Sequence, residues 1–217
     1  MDFAIARHNM VESQLRTNKV VDEAIVEGMA HIPREAFVPD ALRAVAYVDE
    51  DIAIGSDRYL VEPLVFARLA QQLAIKPGAR VLVIGAGSGY GAAVLAQAGA
   101  TVVALESDSS IAAAAKIGLS RIGAKNVAVV EGPLAAGWPL AAPYDAILIE
   151  GAAGALPAKL PAQLAEGGRI VGVIAAGGEP GRATMWVKFG ETLTSRTLFD
   201  ANVPMLPGLA PAPEFVF

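Results

Sequence analysis

Three glycines and one glutamate form the pattern in this sequence that could do chemistry. Four apolar residues lead directly into Gly85, Gly87 and Gly89, and Glu106 closes a second apolar run, 101–105. Because glycine has no Cβ atom, a ligand can approach this backbone closely, and the start of a following helix offers free N–H groups. A carboxylate at the end of the next strand can accept hydrogen bonds from both hydroxyls of a ribose. The pattern therefore predicts a site for a nucleoside-containing cofactor.

Two other interpretations of this segment were weighed. A glycine-rich turn by itself is weak evidence, because tight turns use glycine in many folds. The run 81–105 also carries no charge, which is typical of a transmembrane helix. Five glycines and the polar Ser88, Gln97 and Thr101 interrupt it, however. A buried strand, a helix and a second strand explain the segment better than a membrane span.

The composition argues against several classes of function. The 217 residues suit one compact domain, and the formal net charge of −5 gives no basic surface for nucleic acid. The chain has no cysteine, and its two histidines, His8 and His31, lie in separate segments. Disulfides, thiol catalysis, a metal site and a Ser–His–Asp triad are therefore not expected. The first residues show no signal-peptide pattern, so we expect a cytoplasmic protein.

Strands and helices alternate in the middle of the chain. This alternation predicts an α/β fold with a doubly wound, mainly parallel sheet that binds ligands at the carboxyl ends of its strands. We expect strands over 80–85, 101–106, 126–131, 144–150 and 168–175, and helices over 89–98, 109–123 and 156–165.

The C-terminal part of the sequence predicts a different arrangement. Residues 183–190 and 192–203 are typical of two strands joined by Gly190, which would add an antiparallel hairpin to one edge of the sheet. We expect the tail, 204–217, to pack on the protein's own surface rather than to dock on a partner.

The N-terminal part predicts two helices within 3–33, then a loop with short extended pieces over 46–62. Pro63 suits the first position of a further helix, where its missing N–H is not needed. No repeat or domain boundary is visible. We therefore expect a single domain over 1–217, made of an N-terminal segment (1–62), a cofactor-binding core (63–175) and an edge hairpin with the tail (176–217).

Several short motifs follow one another in a specific order between roughly residues 9 and 175. They are Met10-Val-Glu-Ser-Gln-Leu-Arg16, Ile32-Pro-Arg-Glu-Ala-Phe-Val-Pro39, Ala46-Tyr47, Ile54-Gly55, Pro63, Ile84-Gly-Ala-Gly-Ser-Gly-Tyr90, Gly137-Trp138, Tyr144-Asp-Ala-Ile147 and Gly167-Gly168. In this order they closely resemble the protein-L-isoaspartate O-methyltransferase family. The resemblance implies a seven-stranded Rossmann-like methyltransferase sheet that binds S-adenosylmethionine. The implied reaction is methylation of the α-carboxyl group of L-isoaspartyl residues in damaged proteins, the first step of their repair.

The resemblance also implies which residues contact the cofactor. The glycine loop would lie against its methionine and ribose portions, and the acid after the second strand would hold the ribose hydroxyls. The residue after that acid, and the loop after the third strand, would lie beside the adenine. These residues are Gly85, Ala86, Gly87, Gly89, Glu106, Ser107, Gly132 and Pro133.

The sequence departs from the family's pattern in three places, at four residues. Tyr59 and Val61 stand where the family has a threonine and a serine before its proline. Pro133 stands where relatives tend to carry an acid, and it offers neither a carboxylate nor a backbone N–H. Glu150 stands where relatives usually have a small or hydroxylated residue near the substrate.

The substrate side is implied to lie in the segment 56–62 and around Glu150. If this segment is extended, Tyr59 and Val61 point to the same face, and the tyrosine hydroxyl could replace the lost catalytic serine. That Tyr59 merely packs under the loop is an equally open interpretation. We expect Ser56 and Arg58 to contact the substrate, Arg58 by pairing with its carboxylate. An ionised Glu150 would instead repel that carboxylate.

Three functions stay open at this point. The first is S-adenosylmethionine-dependent methylation of isoaspartyl peptides and proteins, with no nucleic acid, membrane or metal involved. The second is a catalytically impaired or retargeted relative that binds the cofactor and acts as a sensor or partner-binding protein. The third is an NAD-dependent oxidoreductase, because residues 87–92 also fit a looser dinucleotide-binding pattern. The sequence predicts no oligomeric state.

Overall fold

The computed structural model describes residues 2–176 and 180–211. This part of the chain forms a seven-stranded sheet with surrounding helices and loops, and a separate two-stranded sheet. Among the described residues, no helix combines the length and the apolar character needed to cross a membrane. Nor does this part bring three or more His, Cys, Asp or Glu side chains together in a group that could hold a metal.

The N-terminal part is helical, as expected. Helix α1 (Phe3–Asn9) continues as a π-helical segment (Met10–Leu15), and helix α2 (Glu23–His31) follows. Asp2 and Asp22 precede the two α-helices, and each carboxylate accepts hydrogen bonds from backbone N–H groups of the first turn. These caps satisfy donors that have no partner inside the helix, which is why the helices begin at these positions.

A small antiparallel hairpin comes next, made of strands β1 (Ile52–Gly55) and β2 (Arg58–Leu60). Its turn residues, Ser56 and Asp57, have positive φ angles of 49° and 54°. Residues other than glycine seldom adopt this conformation. Helix α3 (Pro63–Ala70) then begins with a proline in its first turn, as the sequence predicts.

The rest of the chain builds the central sheet. Its elements are β3 (Arg80–Ile84), α4 (Tyr90–Gln97), β4 (Thr101–Glu106), α5 (Ser109–Arg121), β5 (Val127–Glu131), β6 (Tyr144–Ala153), β7 (Leu164–Ile174), β8 (Arg182–Phe189) and β9 (Thr192–Asp200). The strand order is β5-β4-β3-β6-β7-β8-β9. Strands β3 to β7 pair in parallel, whereas β8 and β9 form an antiparallel hairpin at the edge. The predicted α/β fold with an antiparallel C-terminal hairpin is therefore confirmed.

Strand β3 is buried on both faces, as its unbroken apolar run predicts. Val81 and Val83 belong to the larger hydrophobic core, which includes helices α2, α3 and α4. Leu82 and Ile84 belong to a second core with residues such as Leu206, where loops and the C-terminal segment cover the sheet. Alternate side chains thus enter different cores, because successive residues of a strand point to opposite faces.

One predicted helix is wrong. Instead of a helix over 156–165, the structure has a short 3₁₀ turn (Pro161–Gln163), and β7 begins directly at Leu164. A proline in the interior of a helix removes a hydrogen bond and clashes with the preceding turn. The buried Gln163 side chain instead forms hydrogen bonds with the backbone of the loop that follows β5. These tertiary contacts favour the turn over the helix that the Ala- and Leu-rich composition predicts.

The C-terminal segment crosses back over the end of β6. The Ala152 N–H donates to the carbonyl of Pro204 (2.9 Å), and the Leu206 N–H donates to the carbonyl of Ala152 (2.8 Å). Residues 204–211 therefore pack on the protein's own surface, in agreement with the prediction for this part of the tail. The prediction for 212–217 falls outside the described residues.

Candidate active site

The carboxyl ends of three neighbouring parallel strands meet at one edge of the sheet. The last residue of β3 pairs with Leu105 of β4 and with Ile149 of β6. Gly85, Glu106 and Glu150 follow these paired positions, so the strand register brings them together. This edge is where open α/β sheets bind ligands.

The glycine loop after β3 has a backbone conformation that glycine adopts without strain. Gly85, Gly87 and Gly89 have φ angles of 73°, 53° and 91°. Gly89 directly precedes α4, so the loop ends at a helix N-terminus. A Cβ atom at Gly85 would lie only 2.7 Å from a methyl carbon of Leu206. The loop is therefore restricted both by its conformation and by the groups close to it.

Glu106 is fully buried at the end of β4. Its Oε2 accepts a hydrogen bond from the Gly87 N–H (2.9 Å), and its Oε1 accepts one from the Ser107 N–H (2.7 Å). Arg58 forms a buried ion pair with the same carboxylate, with Nη2 3.0 Å from Oε2. Burial raises the pKa of Glu106, but the Arg58 guanidinium and the backbone donors outweigh burial and hold this pKa below its ordinary value.

Arg58 reaches this carboxylate from the hairpin. Its side chain is 3 % exposed, and its Nη2 also donates to the carbonyl oxygen of Gly85 at 2.7 Å. The sequence predicts that Arg58 pairs with a substrate carboxylate, whereas the structure places it on Glu106. The reason is the alternation of β2, in which Arg58 and Leu60 point inward and Tyr59 points outward.

The hairpin turn lies beside the start of α5. A Cβ atom on Gly55 would lie 3.9 Å from a methyl carbon of Ile111, in the first turn of this helix. Hydrogen bonds from Ser110 and from the Ile111 backbone, together with the nearby Ser56 side chain, lower the pKa of the helix-capping Asp108 to about 2. The contact of Ser56 with a substrate stays a prediction.

Tyr59 and Val61 do not share a face of the hairpin. Tyr59 is 37 % exposed, whereas the Val61 side chain is 3 % exposed. The prediction of a common face is wrong, because β2 ends at Leu60 and its alternation does not extend to Val61. The outward-facing tyrosine therefore does not replace the family's serine in this structure.

Arg34 is a buried residue near the site that the sequence reasoning missed. Its side chain is fully buried, with Nε donating to the Ala46 carbonyl (2.7 Å) and Nη2 donating to the Val61 carbonyl (2.8 Å). The guanidinium carbon also lies 4.9 Å from the centre of the Tyr90 ring. Burial lowers the pKa of Arg34. The sequence marks Arg34 only by its place in the motif 32–39. Its residue type gives no indication of burial, because arginine is normally a surface residue.

The Glu150 side chain lies in the same part of the protein interior as Arg34. Its side chain is nearly buried, and among the described residues its Oε2 has no hydrogen-bond partner. Burial raises the pKa of Glu150 from its ordinary value of 4.5 to about 8, against the opposing charges of Arg58 and Arg34. The carboxyl group is therefore protonated at neutral pH. The repulsion of an anionic substrate that the sequence suggests does not follow, because a neutral acid carries no charge and can donate a hydrogen bond.

Replacing Glu150 with glutamine should remove a loss of stability at higher pH. The wild-type carboxyl group stays protonated in the folded protein up to about pH 8, whereas it ionises near 4.5 in the unfolded chain. Unfolding therefore releases a proton between these values, and the wild type loses stability as the pH rises through this window. Glutamine does not titrate, so at pH 8.5 the variant should gain about 4 kcal/mol over the wild type relative to pH 5.

Urea denaturation at pH 5, 7 and 8.5 measures this difference. Glu131→Gln, a change at an exposed strand end, is the matched control and should follow the wild-type curve. If the free energy of unfolding changed with pH in the same way for Glu150→Gln and for the wild type, Glu150 would be ionised in the folded protein.

A loop after β5 completes the edge of the site. The Gly132 N–H donates to the backbone carbonyl of Glu106 at 3.0 Å, and the exposed Pro133 follows. The Trp138 ring lies against Gly132, 3.5 Å from where a Cβ atom would be. Gln163 holds this tryptophan in place, because its Oε1 accepts the Trp138 backbone N–H at 2.8 Å. Trp138 is thus a second residue beside the site that was not predicted as a contact.

A buried acid beside a glycine loop, at the carboxyl ends of parallel strands, defines a Rossmann-like protein that binds a nucleoside cofactor. Comparison with known proteins narrows this class. A family model described as "Protein-L-isoaspartate(D-aspartate) O-methyltransferase (PCMT)" matches residues 6–194. The chain belongs to this family, as the motifs in its sequence predict.

Individual relatives agree with this membership. The chain is 40 % identical over 218 residues to the protein-L-isoaspartate O-methyltransferase of Methylorubrum extorquens (strain PA1), covering 97 % of this chain and 92 % of the relative. It is 41 % identical over 165 residues to the protein of the same name from Methanoregula boonei, covering 76 % of each.

Two solved structures share the fold. One is described as a protein-L-isoaspartate O-methyltransferase and matches with a TM-score of 0.83 at 27 % identity, covering 94 % of this chain and 67 % of the other. The second is a Plasmodium falciparum protein in complex with S-adenosyl-L-homocysteine. It matches with a TM-score of 0.77 at 19 % identity, covering 95 % and 98 %, and supports the fold alone.

Proposed function

We propose that this protein transfers the methyl group of S-adenosylmethionine to the α-carboxyl group of L-isoaspartyl residues in damaged proteins, which begins their repair. The observation that carries the proposal is membership of the isoaspartate methyltransferase family over residues 6–194. The buried acid at the end of β4 agrees with it, because it lies where a ribose is held in such folds. No observation favours a sensor without activity or an NAD-dependent oxidoreductase.

The residues at this edge of the sheet fit an adenosyl cofactor. Glu106 has two carboxylate oxygens that can accept hydrogen bonds from the two hydroxyls of a ribose, and Gly85, which has no Cβ atom, lets a ligand approach the backbone closely. When bound, S-adenosylmethionine supplies an electrophilic methyl group on a sulfonium. We assign its binding to the glycine loop, the end of β4 and the loop after β5: Gly85, Ala86, Gly87, Gly89, Glu106, Ser107, Gly132 and Pro133.

The substrate side requires positioning rather than a general base. A carboxylate with an ordinary pKa of about 4 is already ionised at neutral pH and is itself the nucleophile. Holding it in line with the methyl group in a dry site lowers the barrier by as much as several kcal/mol, roughly. We assign this role to Ser56 and Val61 of the hairpin segment and to Glu150 of β6.

Glu150 has a specific part in this assignment. Because its carboxyl group is neutral below about pH 8, it can donate a hydrogen bond to the substrate carboxylate instead of repelling it. Arg34 also supports the substrate side, because its guanidinium donates a hydrogen bond to the backbone carbonyl of Val61.

We further infer that the chain acts as a single cytoplasmic domain on isoaspartyl-containing peptides and proteins. Strands from 80 to 200 share one sheet, and the N-terminal helices pack into the same core, which supports one domain. The formal net charge of −5 gives no support for nucleic-acid binding.

A methyl-transfer assay tests the proposed activity. The full chain is incubated with methyl-labelled S-adenosylmethionine and a peptide that contains one L-isoaspartyl residue. A peptide of the same sequence with a normal aspartyl residue is the matched control. We expect labelled methyl ester on the isoaspartyl peptide alone. Binding of S-adenosylhomocysteine without turnover would favour the sensor, and absence of binding would exclude the proposed function.

A further inference from the structure

Arg58 holds the acceptor positions that a ribose needs on Glu106. An ionised carboxylate offers about four acceptor positions, roughly two on each oxygen. The Gly87 N–H donates to Oε2 at 2.9 Å, and the Ser107 N–H donates to Oε1 at 2.7 Å. The Ser107 hydroxyl and the Asp108 N–H also donate to Oε1, each at 3.3 Å. Arg58 contacts both oxygens, with Nε 3.3 Å from each and Nη2 3.0 Å from Oε2. With these donors in place, a vicinal diol that contacts both oxygens has to take the place of the guanidinium.

Leu206 approaches the same site from a different part of the chain. Its Cδ2 lies 2.7 Å from the position of a Cβ atom on Gly85, and a Cβ atom on Gly151 would meet the same side chain at 2.7 Å. The leucine is 1 % exposed, so the surrounding residues enclose it. Two segments that are far apart in sequence thus converge on the first glycine of the loop.

Both segments can withdraw without breaking the central sheet. The hairpin that carries Arg58 forms its own two-stranded sheet and is not paired with the seven-stranded one. The segment that carries Leu206 is joined to the end of β6 outside the regular strand pairing, by an isolated bridge between Ala152 and Met205 and by one hydrogen bond from the Gly154 N–H to the Leu209 carbonyl. Elements with few such hydrogen bonds open at a lower cost in free energy than the core strands do.

We propose that Arg58 and Leu206 are internal competitors of the cofactor, which binds by displacing them from Glu106 and Gly85. This inference rests on the proposed function, since it concerns how S-adenosylmethionine enters the same site. The two hydroxyls of the ribose take over the contacts with Oε1 and Oε2 that Arg58 releases. The apparent affinity for the cofactor is the intrinsic affinity multiplied by the fraction of molecules in which these side chains have left the site.

Calorimetric titration of the full chain with S-adenosylhomocysteine tests this competition. Arg58→Met removes the charge and the donors but keeps a long side chain, and it should bind S-adenosylhomocysteine about tenfold more tightly than the wild type. Leu206→Ala clears the space over Gly85 and should also bind more tightly, by about threefold. Arg43→Met, at an exposed arginine outside the site, is the matched control and should leave the dissociation constant unchanged.

The outcomes separate this inference from the proposed function. An ion pair with only a structural role would lower the stability of Arg58→Met without tightening binding, and unchanged or weaker binding in both variants would overturn the competition. If Arg58→Met does not fold, Leu206→Ala decides by the same criterion. If the wild type binds the cofactor and methylates the peptide, but neither variant binds more tightly, the proposed function stands and the competition is overturned. Binding by the variants alone would support the competition and contradict the wild-type activity, and no binding by any form would overturn both.

Discussion

Replacing Glu106 with alanine is expected to lower the free energy of unfolding by about 3–5 kcal/mol, because it leaves the buried Arg58 without its partner. The backbone N–H groups of Gly87 and Ser107 also lose their acceptor in the variant. Binding of S-adenosylhomocysteine should fall below detection, because no carboxylate remains for the ribose hydroxyls. Urea denaturation and calorimetric titration measure the two effects. The sequence alone predicts only the loss of cofactor binding, with little change in the fold.

Two comparisons test the cause of this loss. Glu131 lies beside Glu106 in the strand register but is exposed, so Glu131→Ala removes only a surface ion pair with Lys116 and should cost less than about 1 kcal/mol. Combining Glu106→Ala with Arg58→Met should restore part of the stability, because no unpaired charge stays buried, without restoring cofactor binding. Wild-type stability in Glu106→Ala would show that Arg58 does not depend on this carboxylate in solution.

Arg34→Ala is expected to lower the free energy of unfolding by about 3 kcal/mol, because two buried carbonyls lose their donor and a packed side chain disappears. These carbonyls belong to Ala46 and Val61. Among the described residues, Arg34 forms no hydrogen bond with a carboxylate, so removing its charge relieves some desolvation cost and offsets part of the loss. The KM for an isoaspartyl peptide should rise more than the dissociation constant of S-adenosylhomocysteine, because Val61 belongs to the substrate side.

Arg43→Ala is the matched control, since Arg43 is exposed and its ion pair with Asp40 lies at the surface. It should change the stability by less than about 1 kcal/mol. Arg34→Lys keeps the charge but loses the planar fork that reaches both carbonyls, and its stability should fall between the wild type and Arg34→Ala. Equal stability of Arg34→Ala and the wild type would show that water satisfies the two carbonyls.

The sequence could predict most of the central sheet because local patterns carry the information. An apolar run such as 81–84 must be buried on both faces, and the glycines after it must form a tight turn whatever surrounds them. The segment 156–165 shows the limit of this reasoning. Its Ala- and Leu-rich composition suits a helix, but the turn at Pro161 and the buried Gln163 contacts with a distant loop prevented one.

The position of the glycine loop and of Glu106 at the carboxyl edge of the sheet was also readable, because strand, glycine loop and acid follow one another closely along the chain; their contacts with the cofactor stay a proposal. The substrate side was not readable, since its contacts join residues far apart in sequence. Tyr59 was expected to face inward, yet β2 turns Arg58 inward and Tyr59 outward. Neither the Arg58–Glu106 pair nor the contact of Leu206 with Gly85 leaves a local signal in the sequence.

The sequence by itself thus determined the α/β fold, the family and the position of the acid at the end of β4, because periodicity and short motifs are local properties. Only the tertiary structure decided the charge and the partners of that acid and of its neighbour Glu150. The burial of a side chain depends on the whole chain. The fold brings Arg58 and Glu106 together in the interior, and burial raises the pKa of Glu150 to about 8. Two carboxyl groups that look equivalent in the sequence therefore differ in charge at neutral pH, because one is paired with an arginine and the other is not.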